Sequence, residues 1–376
     1  MNIPVCEPFL NGREIEYVLD AVRTGWISSS GKYVTAFERA FAEYCGAKHG
    51  VAVCNGTVAL HLALKSAGIG PGDEVIVPNF TMISTAFAVC YTGARPVFVD
   101  ADPDTWNVDT RLVEDKITPR TKAIIAVHLY GLPCDMDALR RIAEPHGVIL
   151  IEDAAEAHGA SYKGRRAGAL SSIAAFSFYA NKNLTTGEGG MVVTDDEDLW
   201  KRARYFKNLC FPLDAPRTYM HADIGFNYRM SNVHAAIGLA QVEKADEYIA
   251  LRRRNAELYR RFLADVPGIV FQKVPPGGDG HYIHVHWMNS LVVDATQYGK
   301  TRDDLSAYLA SRGVETRLLF VGMHRQPSMQ ESFSPAEHFP VSDWLSNNGL
   351  YLPSASSLHE EQIRYVADCI REFCNG

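Results

Sequence analysis

Between residues 50 and about 195 the chain alternates short, near-continuous runs of Val, Ile and Ala with stretches of helical periodicity, a pattern that few architectures accommodate. GVAVCN (50–55), EVIVP (74–78), RPVFVD (95–100), KAIIAVHLYG (122–131), VILIED (148–153), SSIAAFSFY and GMVVT read as strands. TVALHLALKSAG (57–68) and MDALRRIAEPHG read as helices between them. Strands that are apolar on both sides and joined through helices form a mostly parallel sheet covered on both faces. The expected class is therefore α/β, with three layers. Such sheets take ligands beyond the carboxyl ends of their strands, so the residues just after strands carry most weight. Asn55-Gly56-Thr57, Phe80, Asp153 and Lys182 stand there.

The pattern changes further along. QVEKADEYIALRRRNAELYRRFLADV (241–266) predicts one long amphipathic helix, with Arg252 to Arg254 on a solvated face. After Pro267 come a strand with HVHWMNSLVVD, a helix (TRDDLSAYLASRG), a strand with VETRLLF and a last helix, HEEQIRYVADCIREFC, which together read as a small α+β unit. The PPGGDG loop (275–280) lies near its start. A chain of 376 residues, 47% of them hydrophobic, has room for two cores. We expect a large domain over 1–245, including an N-terminal arm, and a smaller C-terminal α+β domain over 246–376.

Charge and cysteine usage exclude several classes. Lys+Arg at 37 against Asp+Glu at 44 gives a net charge of -7, which offers no footprint for nucleic acid or an anionic membrane. MNIPVCEPFLNGREIEYV lacks the basic and apolar regions of a signal peptide, and no run of about 18 apolar residues occurs, so the chain reads as cytoplasmic. The eight cysteines are scattered without CxxC or Cys/His ligand spacing, which favours buried thiols over a metal site or disulfides.

The chemistry lies at the strand ends. Asp153 closes an apolar strand, where a carboxylate is costly to bury without a positive partner; it could equally cap a helix over AAEAHG. Lys182 follows the next strand, inside FSFYANKNLTTGEGG. It either returns the chain to solvent or is desolvated for Schiff-base chemistry. An acidic residue ending one strand and a lysine past the next suit pyridoxal 5'-phosphate (PLP), whose aldehyde takes the amine and whose ring nitrogen needs an acid beside it. Gly56 and Thr57, at a helix N-terminus, could cradle its phosphate, and Ser177 could add a hydroxyl. Phe80 could lie against its ring, or belong to the core.

These residues sit inside longer blocks: GWISSSGKYVTAFERAFAEYCGAKHGVAVCNGTVALHLAL, GPGDEVIVPNFT, KAIIAVHLYGLPCDMDAL, LIEDAAEAHGASYKGRRAGALSSIAAFSF, NKNLTTGEGGMVVT and IGFNYRMSNVHAAIGLAQVEKADE. In them the chain resembles the PLP-dependent aminotransferases of nucleotide-linked sugars, the DegT/StrS type, which have the aspartate aminotransferase fold (fold type I). The resemblance is nearest to the perosamine-forming branch, whose members aminate the C4 ketone of a nucleotide-linked 4-keto-6-deoxy sugar with L-glutamate as donor. It implies that Lys182 carries the cofactor, Asp153 partners the pyridinium, Glu156 lies near the 3-hydroxyl, and Gly56, Thr57 and Ser177 contact the phosphate. It also implies that Asn227, in FNYRM, reaches the cofactor phosphate of a neighbouring subunit, so that a homodimer shares its active sites.

On the substrate side, His324 in FVGMH matches a histidine near the sugar site. Arg229 is expected near substrate or at an intersubunit contact, Trp26 at the entrance or as a buried anchor, and Asn183 beside Lys182 as a further contact. Family dehydratases carry histidine where this chain has Lys182, which favours transamination. FKNLCFPLDAPRTYMHADIGFNYRM and TRLLFVGMHRQPSM depart from the perosamine-forming pattern in segments that recognise sugar and nucleotide. UDP- and dTDP-linked ketosugars therefore stay open as substrates.

Overall fold

Seven strands form the sheet that the apolar runs predict: β1 (His49–Val53), β2 (Glu74–Pro78), β3 (Arg95–Val99), β4 (Thr121–Val127), β5 (Ile149–Asp153), β6 (Ile173–Ser177) and β7 (Gly190–Thr194). The computed structural model describes residues 2–213, 215–216, 218–276, 280–333 and 337–376. Gly277, Gly278 and Asp279 of the PPGGDG loop and two positions of the 206–230 segment lie outside these. The strand order is β1-β7-β6-β5-β4-β2-β3, with β7 antiparallel to both neighbours and the other pairs parallel. The mostly parallel α/β sheet is thus present.

Successive residues of each strand enter opposite cores, as the period of two requires. Ile124, Ala174 and Phe176 face one layer, while Ile125, Ile173 and Ala175 face the other. Helix α1 (Glu14–Arg23), α2 (Lys32–Cys45) and, late in the chain, α4 (Asn232–Glu243) belong to the first layer; α3 (Gly56–Ser66) and the helix Ser84–Tyr91 belong to the second. Phe41 meets Phe176 edge-on at 4.8 Å and Phe37 meets Phe178 at 5.1 Å. Burying a ring of this size contributes roughly 1.5–3 kcal/mol.

The C-terminal unit has its own sheet: β8 (Ile269–Phe271), β9 (Asn289–Val293), β10 (Arg317–Leu318) and β11 (Gly349–Leu352), in the order β8-β9-β11-β10, all antiparallel. Three expectations change here. The single helix expected over 241–266 breaks at Lys244 (φ -112°, ψ 8°), between α4 and α5 (Ala245–Phe262). The N-terminal arm, expected with the large domain, is stitched to the small one: Ile3 N donates to Gly313 O at 2.8 Å and Ser354 N to Val5 O at 2.7 Å. Arg252, expected in solvent, is 3% exposed and ties α5 to Ser356 Oγ (3.0 Å), Trp287 O (3.0 Å) and Cys6 Sγ (3.4 Å). One face of α5 is buried against the C-terminal segment, so Arg252's position on the helix, not its charge, decides.

Beneath the site, Glu152 is fully buried and accepts from His128 Nε2 (3.0 Å), Gly168 N (2.7 Å), Leu170 N (2.9 Å) and Ser171 Oγ (3.0 Å). His128 Nδ1 accepts from Cys134 N at 3.1 Å, so Nε2 carries the proton. Burial raises the carboxyl's pKa, but His128 and the other donors outweigh it and hold the value below the usual 4.5. A group depressed in the folded state stabilises above its unfolded pKa, and that stabilisation is lost as pH falls through the folded value. Glu152→Gln turns an NH₂ towards these donors and is expected to lower the unfolding free energy at pH 7 by about 3 kcal/mol. In denaturant titrations the gap from the parent should narrow as pH falls below 4.5.

Candidate active site

Beyond the carboxyl ends of β5 and β6 opens a cavity of about 550 Å³, walled also by Trp287, Phe320 and Tyr351 from the C-terminal part of the chain. Gly56, Thr57, Asp153, Glu156, Ser177 and Lys182, all anticipated from sequence, line it together. Lys182 is desolvated rather than returned to water. Its Nζ sits 3.6 Å from the centroid of the Trp287 ring. Burial depresses its pKa, and Glu156 and Asp153 oppose that shift by Coulombic attraction.

Asp153 caps no helix, because a turn follows it. It is 5% exposed, takes Thr85 Oγ1 at 2.8 Å and Ala155 N at 3.1 Å, and burial raises its pKa despite both bonds. A carboxyl buried with only neutral donors at hydrogen-bond distance is suited to a cationic N–H arriving from the cavity. Glu156 Oε2 accepts the Tyr130 N–H at 2.6 Å, and burial pushes its pKa up to about 7. Tyr130 holds this N–H in place with φ 55°, a left-handed conformation uncommon for a side-chain-bearing residue.

Asn55 caps α3 by taking the Val58 N–H at 3.0 Å. Gly56 and Thr57 occupy the first helical turn, whose N–H groups have no partner within the helix. A Cβ on Gly56 would lie 2.6 Å from Ser177 Cβ, so only glycine lets the helix start approach β6 this closely. Ser177 Oγ takes a long 3.4 Å bond from Tyr179 N. Helix terminus and hydroxyl together form a cradle for an anion.

The remaining expectations fall elsewhere. Phe80 is 1% exposed in the core, edge-on to Tyr130 at 6.4 Å, and the apolar side chain that its segment gives to the cavity is Met82. Asn183 is 3% exposed and turns away, with Nδ2 3.5 Å from Val285 O. His324 is a clasp: Nδ1 faces Asn79 Nδ2 at 2.9 Å and Nε2 faces Asp343 Oδ1 at 3.0 Å. Trp26 is 58% exposed and only its carbonyl is bonded, to Asn232 Nδ2 at 2.6 Å. Arg229 donates to Asn208 Oδ1 at 2.7 Å and walls a separate cleft of about 440 Å³ with Ser28 and Lys207. Asn227 is exposed outside this chain's own cavity.

The description of the DegT/DnrJ/EryC1/StrS aminotransferase family matches residues 8–371. The chain belongs to this family. It is 43% identical over 371 residues to a GDP-perosamine synthase of Escherichia coli O157:H7, covering 99% of this chain and 98% of the relative. It is 45% identical over 365 residues to a GDP-perosamine synthase of Caulobacter vibrioides, covering 97% and 96%. Among solved structures, S. venezuelae DesV in complex with a ketimine intermediate superposes with a TM-score of 0.90 at 38% identity, covering 97% of this chain and 95% of that one. The chain is a PLP-dependent aminotransferase.

The residues present fit that cofactor: an anion cradle at α3, a buried acid short of a cation, and a lysine of depressed pKa, all lining one cavity. When bound, PLP withdraws electrons from the substrate carbon that loses its proton. Sequence reasoning missed Thr85 and Trp287, which line the cavity, and Tyr130, whose N–H meets Glu156. None of the three carries a local mark in the sequence. Borohydride reduction of the PLP-loaded protein should fix the cofactor on the peptide containing Lys182; an adduct on another lysine refutes the assignment. Asp153→Asn should keep the fold and most cofactor binding while kcat falls roughly a hundredfold, about 3 kcal/mol in the barrier. Near-parental turnover would make Asp153 a turn former only.

Proposed function

We propose that this aminotransferase moves the amino group of L-glutamate to the C4 ketone of a GDP-linked 4-keto-6-deoxy sugar. The observation that carries the reading is the convergence of Lys182, Asp153 and the α3 cradle in a chain related end to end to GDP-perosamine synthases. With PLP bound, Lys182 would hold its aldehyde, and Nζ would serve as the base that takes the proton from the substrate carbon. Its depressed pKa keeps a larger fraction neutral and basic near neutrality. Asp153 would hold the proton of the cofactor's ring nitrogen, and Trp287 covers one side of Nζ. A panel of GDP-, UDP- and dTDP-linked 4-ketosugars with L-glutamate, read by mass spectrometry, tests the substrate. The aminated GDP-sugar should form fastest, and preference for another nucleotide overturns the assignment.

The same reading makes the enzyme a homodimer with shared sites. Asn227 is exposed and does not line its own cavity, and apolar side chains stand uncovered along α1: Ile15 at 78%, Leu19 at 44% and Val22 at 55% exposure, with Met82 and Tyr179 about half exposed at the cavity mouth. A second copy would cover this surface and deliver Asn227 to the phosphate held by Gly56, Thr57 and Ser177. Asn227→Ala should then weaken PLP binding roughly tenfold or more, the cost of one charge-assisted hydrogen bond. At a PLP concentration that leaves the Asn227→Ala sites mostly empty, mixing Lys182→Ala with Asn227→Ala chains should raise activity above that of either parent, because one site of the mixed dimer keeps both residues. Absence of recovery after verified subunit exchange, or a monomer at working concentration, removes the sharing.

A further inference from the structure

Asn79, the first residue after β2, is fully buried and commits its amide to one distant turn. Its carbonyl oxygen accepts the Met323 N–H at 2.8 Å, its Oδ1 accepts the His324 N–H at 3.1 Å, and its Nδ2 donates to His324 Nδ1 at 2.9 Å. Since Nδ1 accepts, the imidazole proton sits on Nε2 and is directed at Asp343 Oδ1, 3.0 Å away. Asp343 belongs to the helix Pro340–Asn348, whose Val341 and Ser342 N–H groups are taken by Asp100, just past β3. Gly322 lets the turn close this tightly: a Cβ there would lie 2.8 Å from His324 Cε1 and 3.0 Å from Asn79 Nδ2. His324 therefore bridges the carboxyl edge of the large sheet and the C-terminal segment.

Both ends of this bridge lead into the cavity, although His324 itself does not line it. Beyond Asn79 come Thr81, Met82, Ser84 and Thr85, and just before His324 comes Phe320, all of them lining residues. The Phe320 ring lies nearly parallel to that of Trp287, at 21° with centroids 6.5 Å apart, and Trp287 carries Lys182 Nζ. We propose that His324 is a positioning residue for the amino acceptor: through the bond between Nδ1 and Asn79 it fixes the spacing of the 81–85 segment from Phe320, and with it the fit of a ligand that touches both. This rests on the reading of the acceptor as a nucleotide-linked ketosugar, whose ring and attached nucleotide are broad enough to meet both segments. The hydrogen bonds of Asp153, Glu156 and Ser177 run to Thr85, Ala155, Tyr130 and Tyr179, none of which bonds to His324 among the described residues. Loss of the bridge should therefore spare the cofactor side.

Two substitutions separate the halves of the bridge. In His324→Asn the amide oxygen replaces Nδ1 as acceptor for Asn79, and Asp343 is released; in His324→Gln the amide nitrogen replaces Nε2 as donor to Asp343, and Asn79 is released. In the PLP-loaded protein, His324→Gln should raise the KM for the sugar nucleotide roughly three- to tenfold, the loss of one neutral hydrogen bond. Its kcat, and the glutamate concentration giving half-maximal conversion of the cofactor's absorbance, should stay near the parent's. His324→Asn should resemble the parent throughout. Asn79→Ala removes the same bond from the other side and should raise the same constant, and the double variant should go no further than the worse single one. Calorimetric binding of GDP-mannose, which has a hydroxyl in place of the ketone and cannot react, should weaken in step. An unchanged sugar-nucleotide KM in folded His324→Gln or Asn79→Ala, an equal rise in His324→Asn, or a parallel rise for glutamate overturns the proposal and leaves the bridge a structural tie only. A parent protein that aminates no nucleotide-linked ketosugar overturns the acceptor reading itself, and is recognised before any variant is made.

Discussion

Glu152 and Asp153 end the same strand, and the pleat sends them to opposite sides of the sheet. Glu152 goes down into the layer beneath, where His128, two backbone N–H groups and Ser171 meet it. Asp153 goes up into the cavity, where Thr85 and Ala155 satisfy it only in part. The first carboxyl fastens the loop 168–171 to the carboxyl edge of the sheet, and the second is left with a need that a cationic ligand can fill. Because neighbouring residues carry these opposite duties, the reactive edge is anchored one residue from where it reacts.

Around that edge the chain assembles a gradient of solvation. Lys182 is held against Trp287, Glu156 accepts the N–H of a left-handed Tyr130, and the first turn of α3 opens towards Ser177 across a gap that only Gly56 allows. Burial depresses the pKa of the amine and raises those of the two carboxyls, so the three groups hold less charge than they would in water. A site of this kind favours ligands that bring complementary charge, as an aromatic cation with a phosphate tail does. Family membership and cavity geometry therefore point to the same cofactor by independent routes.

The small domain does more than close the cavity. Trp287, Tyr351 and Arg317 all come from it, and Arg252 secures Trp287 through its carbonyl oxygen while also holding Cys6 of the arm. The arm, in turn, is paired with residues 313–315 and 354. The cavity's outer wall is thus tied together through the C-terminal unit and the arm, whereas Asp153 and Ser177 belong to the seven-stranded sheet.

Apolar runs of four to six residues determined the sheet by themselves, since strands buried on both faces leave no other arrangement. Rule-governed positions followed: Asp153 and Lys182 just past strand ends, Gly56 and Thr57 at a helix start. Phe80 was not decided at that level. Whether an aromatic after a strand faces the cavity or the core depends on which neighbours fill the space, and Tyr130 and Phe320 drew it inward while Met82 took the wall. The same holds for Arg252, whose charge suggested solvent but whose place on α5 put it under the C-terminal segment. Asn183 and His324 were also turned into structural bonds by packing. Sequence determines what is periodic along the chain, because burial is repetitive there. Contacts between residues more than a hundred positions apart, such as Lys182 with Trp287, are fixed only when the domains meet, because no local regularity encodes them.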